Sequence, residues 1–213
     1  MDFTALCLKL GDRLRMPLPG EAAHDIFRAK PVGDVRPFFE HKEPPRPGGV
    51  ILLLYEDDGE IKFPLIKRPE YTGHHGGQVS LPGGKAEEGE DAVETALREC
   101  EEEIGVRPGR LNVIGKLSDF FVIPSNFLVT PIIASFPSKP LFRPDPHEVS
   151  RIIEARVADL AAADPIRQKE ILAAGKYRMM APHFEIENEI VWGATAMMLN
   201  EFRVVLRELR HGA

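Results

Sequence analysis

Arg98-Glu99-Cys100-Glu101-Glu102-Glu103-Ile104-Gly105 is the stretch that decides how this chain is read. On a helix advancing about 100° per residue, Glu99, Glu102 and Glu103 stand at i, i+3 and i+4 and share one face. Like charges at that spacing weaken a helix by roughly 0.2–0.5 kcal/mol per pair, and no Lys or Arg follows three or four residues downstream before the helix stops at Gly105 to relieve them. Such a cluster calls for a cation. A hard divalent ion with oxygen ligands, Mg²⁺ or Mn²⁺ held together with substrate phosphates, is the enzymatic form that this chemistry favours.

Outward from the acids, Asp91 to Ile104 is expected to be a helix with Ala92, Ala96, Leu97 and Cys100 on its buried side and Gly105 as its stop. Upstream, Val50 to Tyr55 is a continuous apolar strand, Asp57-Asp58-Gly59 a turn, and Ile61 to Lys67 its returning partner, with Pro64 marking an edge or bulge. Further strands are expected at 111–117, 120–123, 127–136, 149–155 and 190–192, and short helices at 158–162 and 166–174. Ala194 to Leu209 is amphipathic through Met198, Phe202, Val205 and Leu209. The amino-terminal part reads as helices at Phe3 to Leu14 and Glu21 to Arg28, followed by a Pro- and Gly-rich linker, Glu43 to Gly49. The expected organisation is a helical arm and linker over residues 1–47 and a main domain over 48–213. The order of elements is mixed, which favours an α/β (α+β) sandwich whose mixed central sheet carries helices on two sides.

Composition limits the function classes. A net charge of −6 argues against a general nucleic-acid or anionic-membrane partner, so small-molecule partners are expected. No run approaches the roughly 18 apolar residues of a membrane span, and the first residues carry no signal-peptide pattern. With only Cys7 and Cys100 present, a soluble, reducing, cytoplasmic setting is expected. Phe3, Leu6 and Leu10 offer an apolar stripe that would pack the arm on a second subunit as a homodimer.

From Gly84 the chain reads Gly-x5-Glu90-x7-Arg98-Glu99-Cys100-x-Glu102-Glu103-x-Gly105, which resembles the Nudix box, with Cys100 where the family prefers a bulky aliphatic. The resemblance implies the Nudix α/β/α sandwich and metal-assisted attack of water on a diphosphate linked to another group. It implies that Glu99, Glu102 and Glu103 bind the metal, that Glu90 supports or joins the site, and that Arg98 orients the carboxylates. Such chemistry needs charge offset on the phosphates and an activated water, which three or four carboxylates around a divalent ion supply. Gly83 and Gly84 let the backbone come close to metal or phosphate.

Just before the box, Arg68, His75, Gly77, Gln78, Val79, Pro82, Gly83 and Gly84 look like the added motif of the coenzyme A pyrophosphatase branch, with Pro69, Gly73 and Leu81 where that branch has a small residue, a second arginine and phenylalanine. Pro124 to Pro131, Asp145 to Val149 and Val191 to Thr195 are similar to the same branch. The implied substrate is a nucleoside diphosphate of the coenzyme A kind, cleaved to 3′,5′-ADP and 4′-phosphopantetheine. ADP-ribose or another nucleoside diphosphate derivative is the alternative, and a non-catalytic ligand-binding module the reading from a different class. Lys67 and Arg68 are candidate phosphate contacts, Gln78 and Asn126 candidate substrate-pocket residues, and Glu148 a candidate ligand or general base from a later loop. His74 and His75 are weaker candidates, because hard Mg²⁺ prefers oxygen.

Overall fold

A computed structural model describes residues 2–34, 37–70, 76–163, 166–173 and 177–211. Its centre is strand β2 (Arg46–Asp57), whose two faces are both buried. Leu52 and Leu54 enter one hydrophobic cluster with Leu6, Leu10, Phe27, Phe63, Leu65, Ile133 and Phe202. Ile51, Leu53 and Tyr55 enter another with Ala96, Cys100, Ile104, Ile132 and Ala134. Side chains alternate across a strand, so a continuous apolar run is what a strand buried on both sides requires.

Beside β2 lie β3 (Glu60–Lys67), β4 (Val79–Ser80), β5 (Gly83–Lys85), β6 (Asn112–Lys116), β7 (Phe120–Val122), β8 (Phe127–Ser135) and β9 (Arg151–Arg156). The pairing β2–β8 is parallel and the other ladders of this sheet are antiparallel, which makes the sheet mixed. One face is covered by α3 (Ala92–Ile104); the other by α1 (Phe3–Arg13), α4 (Val157–Ala162) and α5 (Gly193–His211). The β2–β3 turn has Asp58 at φ 52° and Gly59 at φ 76°, the two left-handed positions of a tight hairpin. Pro64 sits between the residues that β3 pairs with β2 (60–62) and those it pairs with β4 (66–67), where its missing donor is not needed on that side.

Three expectations are corrected. The tract read as a linker is partly strand: β2 begins at Arg46, so the expected boundary at 47/48 falls inside it. Gly48 and Gly49 are there because a Cβ would overlap the Gly84 carbonyl in one case and the Ala92 carbonyl in the other; bare backbone lets β5 and α3 close on β2. The segment expected as a helix over 166–174 is strand β10 (Arg167–Ala173), paired antiparallel along its length with β11 (Tyr177–Ile186) and tied to it by Arg167–Glu185 and Arg178–Glu170 ion pairs. β11, not foreseen, also pairs β1 (Lys30–Pro31) and β12 (Glu189–Trp192) in a second, smaller sheet. The arm's apolar stripe is also spent within the chain. Leu6 and Leu10 are buried in the core shared with α5, so they do not offer a face to a second subunit.

The arm's second helix, α2 (Gly20–Asp25), is fixed by a buried polar junction. The Glu201 carboxylate on α5 accepts from the Gly20 N–H at 3.0 Å and the Ser118 hydroxyl at 2.6 Å, and bonds His24 Nε2 at 3.0 Å. Burial works to raise the Glu201 pKa, yet the His24, Ser118 and Gly20 hydrogen bonds outweigh it and the net shift is downward. Cys7 and Cys100 are both free thiols. Among the described residues no helix is long and apolar enough to cross a membrane.

Candidate active site

Helix α3 is capped at both ends by its own sequence. The Asp91 side chain accepts from the Val93 and Glu94 N–H groups, Glu94 reaches back to the Asp91 N–H, and Gly105 ends the helix at φ 74°. With the helix so fixed, Ala96, Cys100 and Ile104 face the sheet, and Glu103 turns inward beside them at 1% exposure. Its Oε2 accepts the Gly83 N–H at 2.7 Å, and its Oε1 lies 3.3 Å from Arg68 Nη2. Glu99, one turn earlier, lies against Gly84, where any Cβ would overlap its carboxylate.

The third partner comes from outside the helix. The chain after β8 runs back along the end of α3, with the Arg143 N–H on the Ile104 carbonyl at 2.9 Å and the Asp145 N–H on the Glu103 carbonyl at 3.0 Å. A turn over 145–149, closed by the Val149 N–H on the Asp145 carbonyl at 2.8 Å, then delivers Glu148. Carboxylate oxygens of Glu99, Glu103 and Glu148 all lie within 4.8 Å of one another.

Arg98 supplies the cation that the downstream sequence lacked. Its Nε and Nη2 hold Glu90 at 2.8 and 3.1 Å, and its Nη1 reaches Glu99 at 2.9 Å and Glu102 at 2.7 Å. The expectation of unrelieved acids is therefore corrected: relief comes from upstream, and Arg98 to Glu102 is itself an i, i+4 pair. Glu102 is exposed and lies on Arg98, outside the converging three; Glu90 likewise lies on Arg98, with added bonds from the Glu87 N–H and the Thr95 hydroxyl. Arg98 and these bonds hold the Glu90 carboxyl down at about 2.

Burial pushes the other two glutamates the opposite way. Desolvation raises Glu103 to about 7 against the lowering effect of Arg68 and the Gly83 N–H, with Glu99 and Glu148 adding repulsion. Desolvation also raises Glu99, opposed by Arg98 and reinforced by Glu102 and Glu148. Two crowded, partly desolvated carboxylates, Glu99 and Glu103, with the exposed Glu148 beside them, form an all-oxygen donor set suited to a hard divalent ion. The residues present thus fit such a metal, with Glu99, Glu103 and Glu148 placed to hold it.

The flanking candidates are placed as follows. Lys67 Nζ is bonded to Glu189 of β12 at 2.9 and 3.1 Å, a partner not foreseen. Arg68 points at Glu103, and its N–H bonds the Gln78 carbonyl at 3.0 Å. Asn126 adopts a left-handed conformation, φ 56°, and its amide donates to the carbonyls of Glu43 and Pro44 at 3.1 and 3.2 Å, tying down the segment before β2. Gly73, His74 and His75 lie outside the described residues. Thr95, Glu189 and the Gly83 N–H were not anticipated; nothing in sequence spacing links residues 67 and 189, or 83 and 103.

The mixed sheet between helices, with an acid-bearing helix and a glycine-lined loop at one edge, defines a class. The NUDIX domain family model matches residues 45–181, and the chain belongs to the Nudix family. It is 34% identical over 164 residues to Nudix hydrolase 15, mitochondrial, of Arabidopsis thaliana, covering 73% of this chain and 56% of that protein. It is 31% identical over 137 residues to the Nudix hydrolase NudL of Yersinia pestis (strain Pestoides F), covering 63% and 67%. The chain thus spans little more than half the length of the plant relative. A solved Nudix hydrolase from M. smegmatis, RenU, shares the fold with TM-score 0.53 and 15% identity, over 86% of this chain and 94% of that one. So does a Nudix hydrolase from Nitrosomonas europaea, TM-score 0.51 and 17% identity, over 81% and 76%.

Proposed function

We propose that the protein is a divalent-metal-dependent diphosphohydrolase that cleaves coenzyme A or its derivatives to 3′,5′-ADP and 4′-phosphopantetheine. The observation that carries the hydrolytic reading is the convergence of Glu99, Glu103 and Glu148 within 4.8 Å beside bare glycine backbone. A bound Mg²⁺ or Mn²⁺ would offset charge on the diphosphate and lower the pKa of an attacking water. The chain's own part is to hold the donors still. The Gly83 N–H and Arg68 fix the two oxygens of Glu103, and Arg98 fixes Glu99 while keeping Glu90 and Glu102 aligned. Glu148, exposed and on a turn, either completes the donor set or, in place of that, takes a proton from the attacking water.

The coenzyme A assignment draws on the segment from Arg68 to Gly84, whose likeness to that branch is interrupted at Pro69, Gly73 and Leu81. A second reading, ADP-ribose or a related nucleoside diphosphate, is favoured by one observation: Lys67 and Arg68, the expected phosphate contacts, both carry carboxylate partners. A substrate without the 3′-phosphate of coenzyme A makes less demand on them. Two free thiols are consistent with a reducing, cytoplasmic setting. Incubation with coenzyme A and ADP-ribose in Mg²⁺ or Mn²⁺, with products identified by mass, decides between the readings. Release of 3′,5′-ADP from coenzyme A is expected; AMP from ADP-ribose alone would replace the first reading by the second.

A further inference from the structure

At the carboxyl end of α3 a groove of about 340 Å³ is lined by Arg107, Arg110 and Arg143 over a floor of the buried Val106 and Phe136, with the exposed Leu141 beside them. No carboxylate is among its lining residues. In a chain of net charge −6 that is unusual, and the arginines are sparsely engaged. Arg107 stands 4.0 Å from Glu101, at the limit of an ion pair. Arg110 lies over the Phe136 ring, 4.6 Å from its centre. Among the described residues the Arg143 guanidinium has neither an ion pair nor a hydrogen bond, whereas Arg28, Arg151, Arg156, Arg167 and Arg178, also exposed, each hold a carboxylate.

Arginines at a helix end commonly serve to complete the helix by bonding its last carbonyls. Here backbone meets that need at four carbonyls. The carbonyls of Cys100, Glu101, Glu103 and Ile104 accept the N–H groups of Val106, Gly105, Asp145 and Arg143. The arginines that line the groove are thus not taken up by the helix end, and the Arg143 backbone is held there by its own hydrogen bond and by its close packing on Gly105, where a Cβ would crowd Arg143 Cβ at 2.7 Å.

We infer that this groove binds a phosphate-bearing small molecule, separately from the metal-binding carboxylates. Guanidinium forks match phosphate oxygens in pairs, three of them more than offset the two charges of a phosphomonoester dianion, and the apolar floor can carry an attached organic group. The chemistry is shared by two sources, free inorganic phosphate and a phosphorylated organic ligand, and the groove's volume and apolar floor exceed what phosphate alone fills.

The test is calorimetric titration of the whole protein in EDTA, where catalysis does not operate, with inorganic phosphate and with 3′,5′-ADP as probes. Saturable binding is expected, weakened at least tenfold in Arg110→Ala/Arg143→Ala and unchanged in Glu103→Gln. Equal affinity for both probes assigns the groove to phosphate alone; tighter binding of 3′,5′-ADP assigns the floor to its organic part. Absence of saturable binding by either probe, or binding indifferent to the arginine substitutions, overturns the inference. Should the double variant lose its fold, Arg143→Lys carries the test, with a severalfold weakening expected from loss of the fork. Because the readout is binding without metal, its failure and failure of the proposed hydrolysis are separate results.

Discussion

Glu103 gathers the burial, hydrogen bonding and charge crowding of the acidic cluster in one side chain. It is nearly enclosed, yet it bears hydrogen bonds suited to an anion, and its pKa is raised to about 7 chiefly by burial. Between the unfolded value of about 4.3 and the folded one, the native state holds a proton that the unfolded state has lost. Metal-free protein should therefore lose stability from this group as pH rises through that window, and regain it when Mn²⁺ is added. Urea midpoints at pH 5.5 and 8, with and without Mn²⁺, measure both effects. Its neighbour Gly84 makes a second test. The Cβ in Gly84→Ala would overlap the Glu99 carboxylate, which Arg98 also grips, so Glu99 must shift. A displacement of that order at a catalytic centre costs about 100-fold in turnover, and the rate of diphosphate cleavage by the folded variant checks it. The acids, their spacing and the glycines were all legible in the sequence. Glu148 was named as a ligand or base only through the family resemblance, and that Glu102 instead points to Arg98 was not legible, because a helical wheel sorts side chains by angle and says nothing of a loop that returns from forty-odd residues later.

Elements read well where pattern and environment agree. Helix α3 announces itself by its cap, its buried stripe and its terminal glycine, and the continuous apolar run at Val50 to Tyr55 is explained by helices on both faces of β2. Replacing Asp91 by Ala removes the side-chain acceptor of the Val93 and Glu94 N–H groups and should cost about 1 kcal/mol, visible as a lower urea midpoint. Reading failed where tertiary pairing overrode local signals. Arg167 to Ala173 is nearly all exposed or half-exposed, so no buried stripe distinguishes strand from helix; what makes it a strand is the ladder and the ion pairs to β11. Gly48 and Gly49 resemble linker residues by composition, yet they are strand positions chosen by the close approach of β5 and α3. In Gly49→Ala the added methyl meets backbone that cannot swing aside, and overpacking of this kind costs ~1–3 kcal/mol, which denaturant unfolding would register.

At the scale of the whole molecule, the arm packs into the same hydrophobic cluster as one face of the sheet. α1 and Phe27, which follows α2, share the core with α5, and Glu201 of α5 binds the arm and the chain before β7. Since the Glu201 pKa is lowered on folding, its contribution is fully present above the unfolded pKa of about 4.3 and is lost as pH falls through the folded value. Glu201→Gln should thus lower the urea midpoint at pH 7, by about 1.5–3 kcal/mol for lost charge-assisted bonds, and its difference from the parent should shrink in acid. The same fold holds β2, β5 and α3 in register, so that Gly83, Gly84 and the glutamates meet. Whether that meeting is a metal-dependent hydrolytic centre is read most directly from the Mn²⁺-dependent turnover of coenzyme A and ADP-ribose by the parent protein and by Glu103→Gln. The geometry predicts metal-dependent cleavage by the parent and a loss of about 100-fold or more in the variant with its fold intact. Equal turnover by the two folded proteins, or no cleavage of either diphosphate at any Mn²⁺ concentration, would contradict it.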